Sequence, residues 1–120
     1  MVKKDAHILL VDDSAFMRNV LKNILENEGY SDFAEAGDGK EALKEIKSKK
    51  PDLVLMDVIM PEMGGIDVIK QIGKDLKVII VSAVGQDKVV EEAKGHGAVG
   101  YIVKPFDNAQ VVEEVTKVLG

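Results

Sequence analysis

Apolar residues in this chain fall into two alternating kinds of run. Short unbroken runs, "ILLV" from 8, "LVLM" from 53, "VIIV" from 78 and "YIV" from 101, have strand length and no polar alternation. Between them the spacing turns helical. Phe16, Met17, Val20, Leu21, Ile24 and Leu25 form one stripe that ends at Gly29, and Leu43 and Ile46 face inward in "DGKEALKEIKSKK", which stops before Pro51. "GIDVIKQIG" reads as a short helix and "QDKVVEEAKG" as another. "NAQVVEEVTKVLG" is a last helix that buries Val111, Val112, Val115, Val118 and Leu119, with Asp107 and Gln110 spaced as a capping box at its start. A fifth and more polar strand, "SDFAEA", belongs at an edge. Strands that are apolar on both sides need helices on both sides, so the alternation predicts an α/β layer structure around a parallel sheet. Ligands of such sheets collect at the carboxyl ends of the strands.

Composition narrows the class. The 120 residues suit one domain, 46% are hydrophobic and 31% charged, and no apolar run approaches the roughly 18 residues of a membrane span. Lys3 and Lys4 precede Asp5, and the run from His7 to Val11 is too short for a signal peptide. With no cysteine there is neither disulfide nor thiolate metal site, which suits a reducing cytoplasmic setting. A net charge of −5 argues against nucleic acid as a partner. Lysines 40, 44, 47, 49 and 50 cluster toward the end of one predicted helix, where they complement its dipole.

Four strand ends carry reactive or hydrogen-bonding groups: Asp12 and Asp13, Asp57, Ser82, and Lys104 before Pro105. Each has an ordinary account alone, as a helix cap, a solvated turn, a turn cap or a snorkelling lysine. Their coincidence at one rim has none. Two carboxylates about 4 Å apart repel by about 4 kcal/mol at an effective dielectric near 20, so three together require a cation. Oxygen-only donors suit a hard dication such as Mg²⁺. A carboxylate held between a metal and a lysine is placed as a nucleophile toward phosphorus. Asp57, single on the central strand, is then the attacker, and Asp12 and Asp13 are a metal-holding pair.

The segments "VDDSAFMR", "LVLMDVIMPEMGG", "VSA" and "VKPF", in this order across nearly the whole chain, resemble the response-regulator receiver domain. "VDDSAFMR" and "IMPEMGGID" are most similar to its stand-alone chemotaxis members. The resemblance implies a single receiver domain over 1–120. It also implies a flavodoxin-like (βα)5 doubly wound five-stranded parallel sheet of order 2-1-3-4-5 with helices on both faces. The implied activity is that of a signalling switch that catalyses its own phosphorylation and dephosphorylation, with Asp57 receiving a phosphoryl group from a CheA-like histidine kinase. Mg²⁺ or Mn²⁺ would be held by Asp13, Asp57 and the backbone carbonyl of Ile59, with Asp12 on a metal-bound water. Lys104 would meet the phosphoryl oxygens, Ser82 would turn toward them, Tyr101 would move inward as the switch, and the Lys104–Pro105 bond would be cis.

The implied partners are the kinase, a phosphatase, and a motor switch or adaptor protein on the face of the fourth helix, fifth strand and fifth helix. The protein would act as a cytoplasmic monomer without nucleic acid or membrane. Glycines in "AKGHGAVG" predict a fraying end to the fourth helix, and His96 carries no functional expectation. Apolar Ile59 and Val84 offer no group to orient water, which predicts slower self-dephosphorylation than in Ile59→Asn or Val84→Glu. A receiver of a non-chemotaxis phosphorelay is one alternative. An aspartyl-phosphate-forming metal-dependent phosphohydrolase is another, but Ile59 stands where its second acid belongs. A flavin module would need a Ser/Thr/Gly-rich loop where "DDSAFMR" stands, and no P-loop motif occurs. The chain ends directly after the fifth helix, so no DNA-binding output is expected.

Overall fold

The unbroken apolar strands do receive cover on both faces. A computed structural model describes residues 4–58, 60, 63–72, 76–83 and 85–119. Among them, strands β1 (His7–Val11), β2 (Asp32–Ala36), β3 (Leu53–Asp57), β4 (Val78–Ala83) and β5 (Gly100–Lys104) alternate with helices α1 (Ala15–Asn27), α2 (Gly39–Lys49), α3 (Gly65–Ile72), α4 (Asp87–Gly95) and α5 (Asn108–Leu119). All pairings are parallel, and the strand order is β2-β1-β3-β4-β5, as the resemblance implies. The polar β2 lies at an edge.

Side-chain alternation along each strand splits the core into two layers. Ile8, Leu10, Leu53, Leu55, Ile79 and Ile102 pack with Leu21, Ile24 and Leu25 of α1 and with Val111 and Val115 of α5. Leu9, Val11, Val54, Met56, Val78 and Ile80 pack with Leu43 and Ile46 of α2, Val68 and Ile69 of α3 and Ala93 of α4. Every residue of β3 is buried. Fully burying one Leu, Ile or Val side chain contributes about 1.5–3 kcal/mol, so the central strands anchor the molecule.

Local signals set the ends of the helices. Asp38 caps α2 by accepting from the Glu41 amide at 2.9 Å, and the Glu41 carboxylate accepts from the Gly37 amide at 2.7 Å. Asp107 and Gln110 close the expected reciprocal box, at 3.0 and 2.8 Å. α2 stops one residue before Lys50, which sits at φ 46°, and then meets Pro51. One expectation fails. Phe16 is 75% exposed, whereas Leu21, Ile24 and Leu25, further along the same stripe, are buried. Val112, Val118 and Leu119 are only partly buried, on the rim of the α5 face. No helix among the described residues is long and apolar enough to cross a membrane.

Candidate functional site

The same alternation places the chemistry. Ile8 and Leu10 face α1 and α5, so Asp12, two residues on, leaves on that side; Leu53 and Leu55 lead to Asp57 likewise, and Ile102 leads to Lys104. β1 and β3 are neighbours with Val11 beside Met56, so Asp12 and Asp57 emerge side by side. Lys104 comes from two strands away, about 9.6 Å at the usual strand spacing. Its partner in register on the intervening strand is Ala83, whose small side chain leaves the long lysine a path.

Lys104 Nζ donates to Asp12 Oδ2 and to Asp57 Oδ2, each at 3.2 Å. Carboxylate oxygens of Asp12, Asp13 and Asp57 all lie within 4.8 Å of one another. Asp12 is 2% exposed and Asp57 9%, whereas Asp13 faces solvent. Three carboxylates and one ammonium leave two negative charges without a counter-charge from Lys104. Burial works against the Lys104 ammonium, but the carboxylates of Asp57 and Asp12 outweigh it and hold its pKa above the usual lysine value. The donor set is therefore what a hard dication requires: oxygens only, an excess of negative charge and an open side at Asp13.

Asp12 is fixed from several directions. Its amide donates to Ala36 O at 3.1 Å, and its Oδ1 accepts from the Ser14 amide at 2.9 Å. Arg18 Nη1 donates to its carbonyl at 2.5 Å while Arg18 Nε donates to Glu35 Oε1 at 2.9 Å, tying the end of β1 to β2. Ser14, not Asp13, caps α1, accepting from the Met17 amide at 3.2 Å. Asp13 is thereby left for the cluster. Behind Asp57, Gly65 opens α3 so closely that an added Cβ would lie 2.7 Å from the Asp57 carbonyl oxygen. Sequence reasoning passed over Arg18, Glu35 and Gly65. The arginine in "VDDSAFMR" and the second glycine of "MGG" were the available signals.

Ser82 follows Val78 and Ile80 onto the opposite face of the sheet, where it is 1% exposed. Tyr101, on the α4 side of β5, is 44% exposed. A cavity of about 360 Å3 runs between them, lined by Ser82, Val90, Lys94, Tyr101 and Val103 among others. The Lys104–Pro105 peptide is cis. Ile59, whose carbonyl was expected at the metal, and Val84 lie outside the described residues.

The model of the response regulator receiver domain matches residues 8–116. The chain belongs to that family. Relatives of this receiver include the chemotaxis protein CheY of Thermotoga maritima, 50% identical over 92% of this chain and 95% of the relative. The CheY proteins of Bacillus subtilis and Halobacterium salinarum are 46% and 42% identical, over 93% of this chain and 96% and 95% of theirs. Among solved structures, the receiver domain of NtrX from Brucella abortus superposes with a TM-score of 0.87 at 29% identity, over 93% of this chain and 97% of that one. The receiver spans 27% of a longer NtrX chain, with a TM-score of 0.89 at 29% identity over 96% of its own length. The sheet order and the five helices are those of the flavodoxin-like receiver fold.

Proposed function

We propose that this receiver is a chemotaxis-type, single-domain response regulator whose phosphoacceptor is Asp57. The observation that carries the reading is the Lys104 ammonium shared between Asp12 and Asp57, with Asp13 inside the same 4.8 Å cluster. The 42–50% identity to CheY proteins over nearly the whole chain supports the chemotaxis assignment.

In this reading an Asp57 carboxylate oxygen attacks the phosphorus of a phosphohistidine on a CheA-like histidine kinase. A P–O bond forms to Asp57, the P–N bond breaks, and the imidazole leaves with its electron pair and takes up a proton. Asp13, Asp57 and the Ile59 carbonyl would hold Mg²⁺ or Mn²⁺, with Asp12 on a water beside it; when bound, the ion neutralises charge on the transferring oxygens. Lys104 orients Asp57 and meets the phosphoryl group as a second cation.

The new group adds about −1.5 to −2 charge if it behaves like other phosphorylated side chains. Ser82 turns toward it, and the ring of Tyr101 enters the cavity that already runs from Ser82. The altered face of α4, β5 and α5 then binds a motor switch or adaptor protein. Carrying the switch from 1:99 to 99:1 requires a differential of about 5.5 kcal/mol. The protein acts as a cytoplasmic monomer, and a phosphatase is a further partner.

Phosphotransfer from a labelled histidine kinase tests this. Label is expected on the parent only with Mg²⁺, in a base-labile linkage, and not on Asp57→Asn. Acid-stable, base-labile label retained by Asp57→Asn would move the nucleophile elsewhere.

A further inference from the structure

Tyr101 is 44% exposed and lines one side of the cavity of about 360 Å3 that Ser82 lines from the neighbouring strand. Burying an aromatic ring removes about 150–250 Å2 from water, so contacts that hold the ring at the edge of the cavity bear on how far it enters. One such contact comes from Lys94, in the last turn of α4, whose ammonium lies 4.6 Å from the centroid of the Tyr101 ring. We propose that Lys94 is a positioning residue for the switch: it clasps the ring of Tyr101 from outside and holds the receiver in its resting state. The proposal rests on the reading of Tyr101 as the switch residue.

Three features favour a clasp over a chance contact. Lys94 lines the cavity together with Tyr101, so ammonium, ring and cavity adjoin one another. Its other partner, Glu91 at 3.8 Å, is 75% exposed, and so solvated a pair competes weakly for the ammonium. The backbone after Lys94 is tied by Gly97, at φ +119°, where the chain turns back to β5. Release of the ring is thereby coupled to the end of α4, one border of the output face.

An exposed cation–π contact shifts an equilibrium about two- to five-fold. The experiment uses metal-free, unphosphorylated protein with 13C-labelled tyrosine rings. Tyr30, buried on the other face of the sheet, serves as internal reference. Nuclear Overhauser contacts from the Tyr101 ring to Val90, which lines the cavity, report the inward position. Lys94→Met keeps the length and helix propensity of lysine without its charge, and is expected to raise the inward population about two- to five-fold. Lys94→Arg is expected to stay at the parent value. An unchanged population in Lys94→Met, or an arginine variant that behaves like the methionine one, overturns the clasp.

A urea double-mutant cycle with Tyr101→Leu is the second measure. A coupling of about two- to five-fold in the folding equilibrium is expected, and none would overturn the proposal. Neither measurement needs a phosphoryl group, so failure of the clasp and failure of the phosphoacceptor reading are separate results.

Discussion

Lys104 bridges two acids, and the sign of its shift makes it a probe of the rim. Desolvation pulls its pKa down, the charges of Asp57 and then Asp12 push it up, and the net displacement is upward from 10.5. The folded chain therefore holds the lysine proton more tightly than the unfolded one. The stability that results is fully present below 10.5 and is lost as pH rises through the higher folded value. After solvent screening of a partly exposed amine it amounts to about 1 kcal/mol at most. The quantity to follow is the difference in urea midpoint between the parent and Lys104→Gln, which isolates the contribution of this one amine. In metal-free buffer that gap should narrow as pH is raised from about 9 to 12. A gap that stays flat or widens would mean that Lys104 gains nothing from the two carboxylates.

Helix α4 shows how neighbouring glycines of one segment carry different physics. Gly95 closes the helix with open space around it: an added Cβ would meet nothing within 4 Å. Gly97 lies at φ +119°, which side-chain-bearing residues rarely adopt. Gly95→Ala should thus stabilise the chain by about 0.5–1 kcal/mol and slow amide exchange in the last turn of α4, while Gly97→Ala should destabilise it by more than that. Equal effects of the two, by urea unfolding, would reject the distinction. The sequence marks both glycines but not which one is strained, since φ depends on how the chain returns to β5. The strands and most helices were legible because burial on two faces and on one face leave different periods. The rim acids were legible because charge at the end of an apolar run has few structural excuses. Phe16 misled because helical periodicity marks a face of the helix but not how far along that face the core extends, and the buried part of α1 begins at Leu21. Arg18, Gly65 and Lys94 stayed hidden, since each matters through a residue distant in sequence or on another element: Glu35, the Asp57 carbonyl and Tyr101.

At the scale of the molecule, a chain of net charge −5 concentrates three acids at one end of its sheet, and among the described residues Lys104 bridges two of them. The core supplies the stability that tolerates this, so relieving the rim should make the metal-free protein sturdier. Asp13 is the acid to change, because Lys104 bridges the other two and that bridge survives its loss. Asp13 is exposed, which reduces the repulsion it feels, and Asp13→Asn should stabilise the metal-free chain by about 0.5–1 kcal/mol, or roughly 2–5 °C in melting temperature. Magnesium should reverse the order. At ten times its dissociation constant a ligand specific for the folded state adds about 1.4 kcal/mol, and only the parent keeps the full donor set. Thermal melts of the two proteins in chelator and in millimolar Mg²⁺ therefore have opposite expected rankings. If Asp13→Asn melts below the parent without metal, the three acids are not in conflict and the electrostatic case for a bound dication falls, whatever the family resemblance.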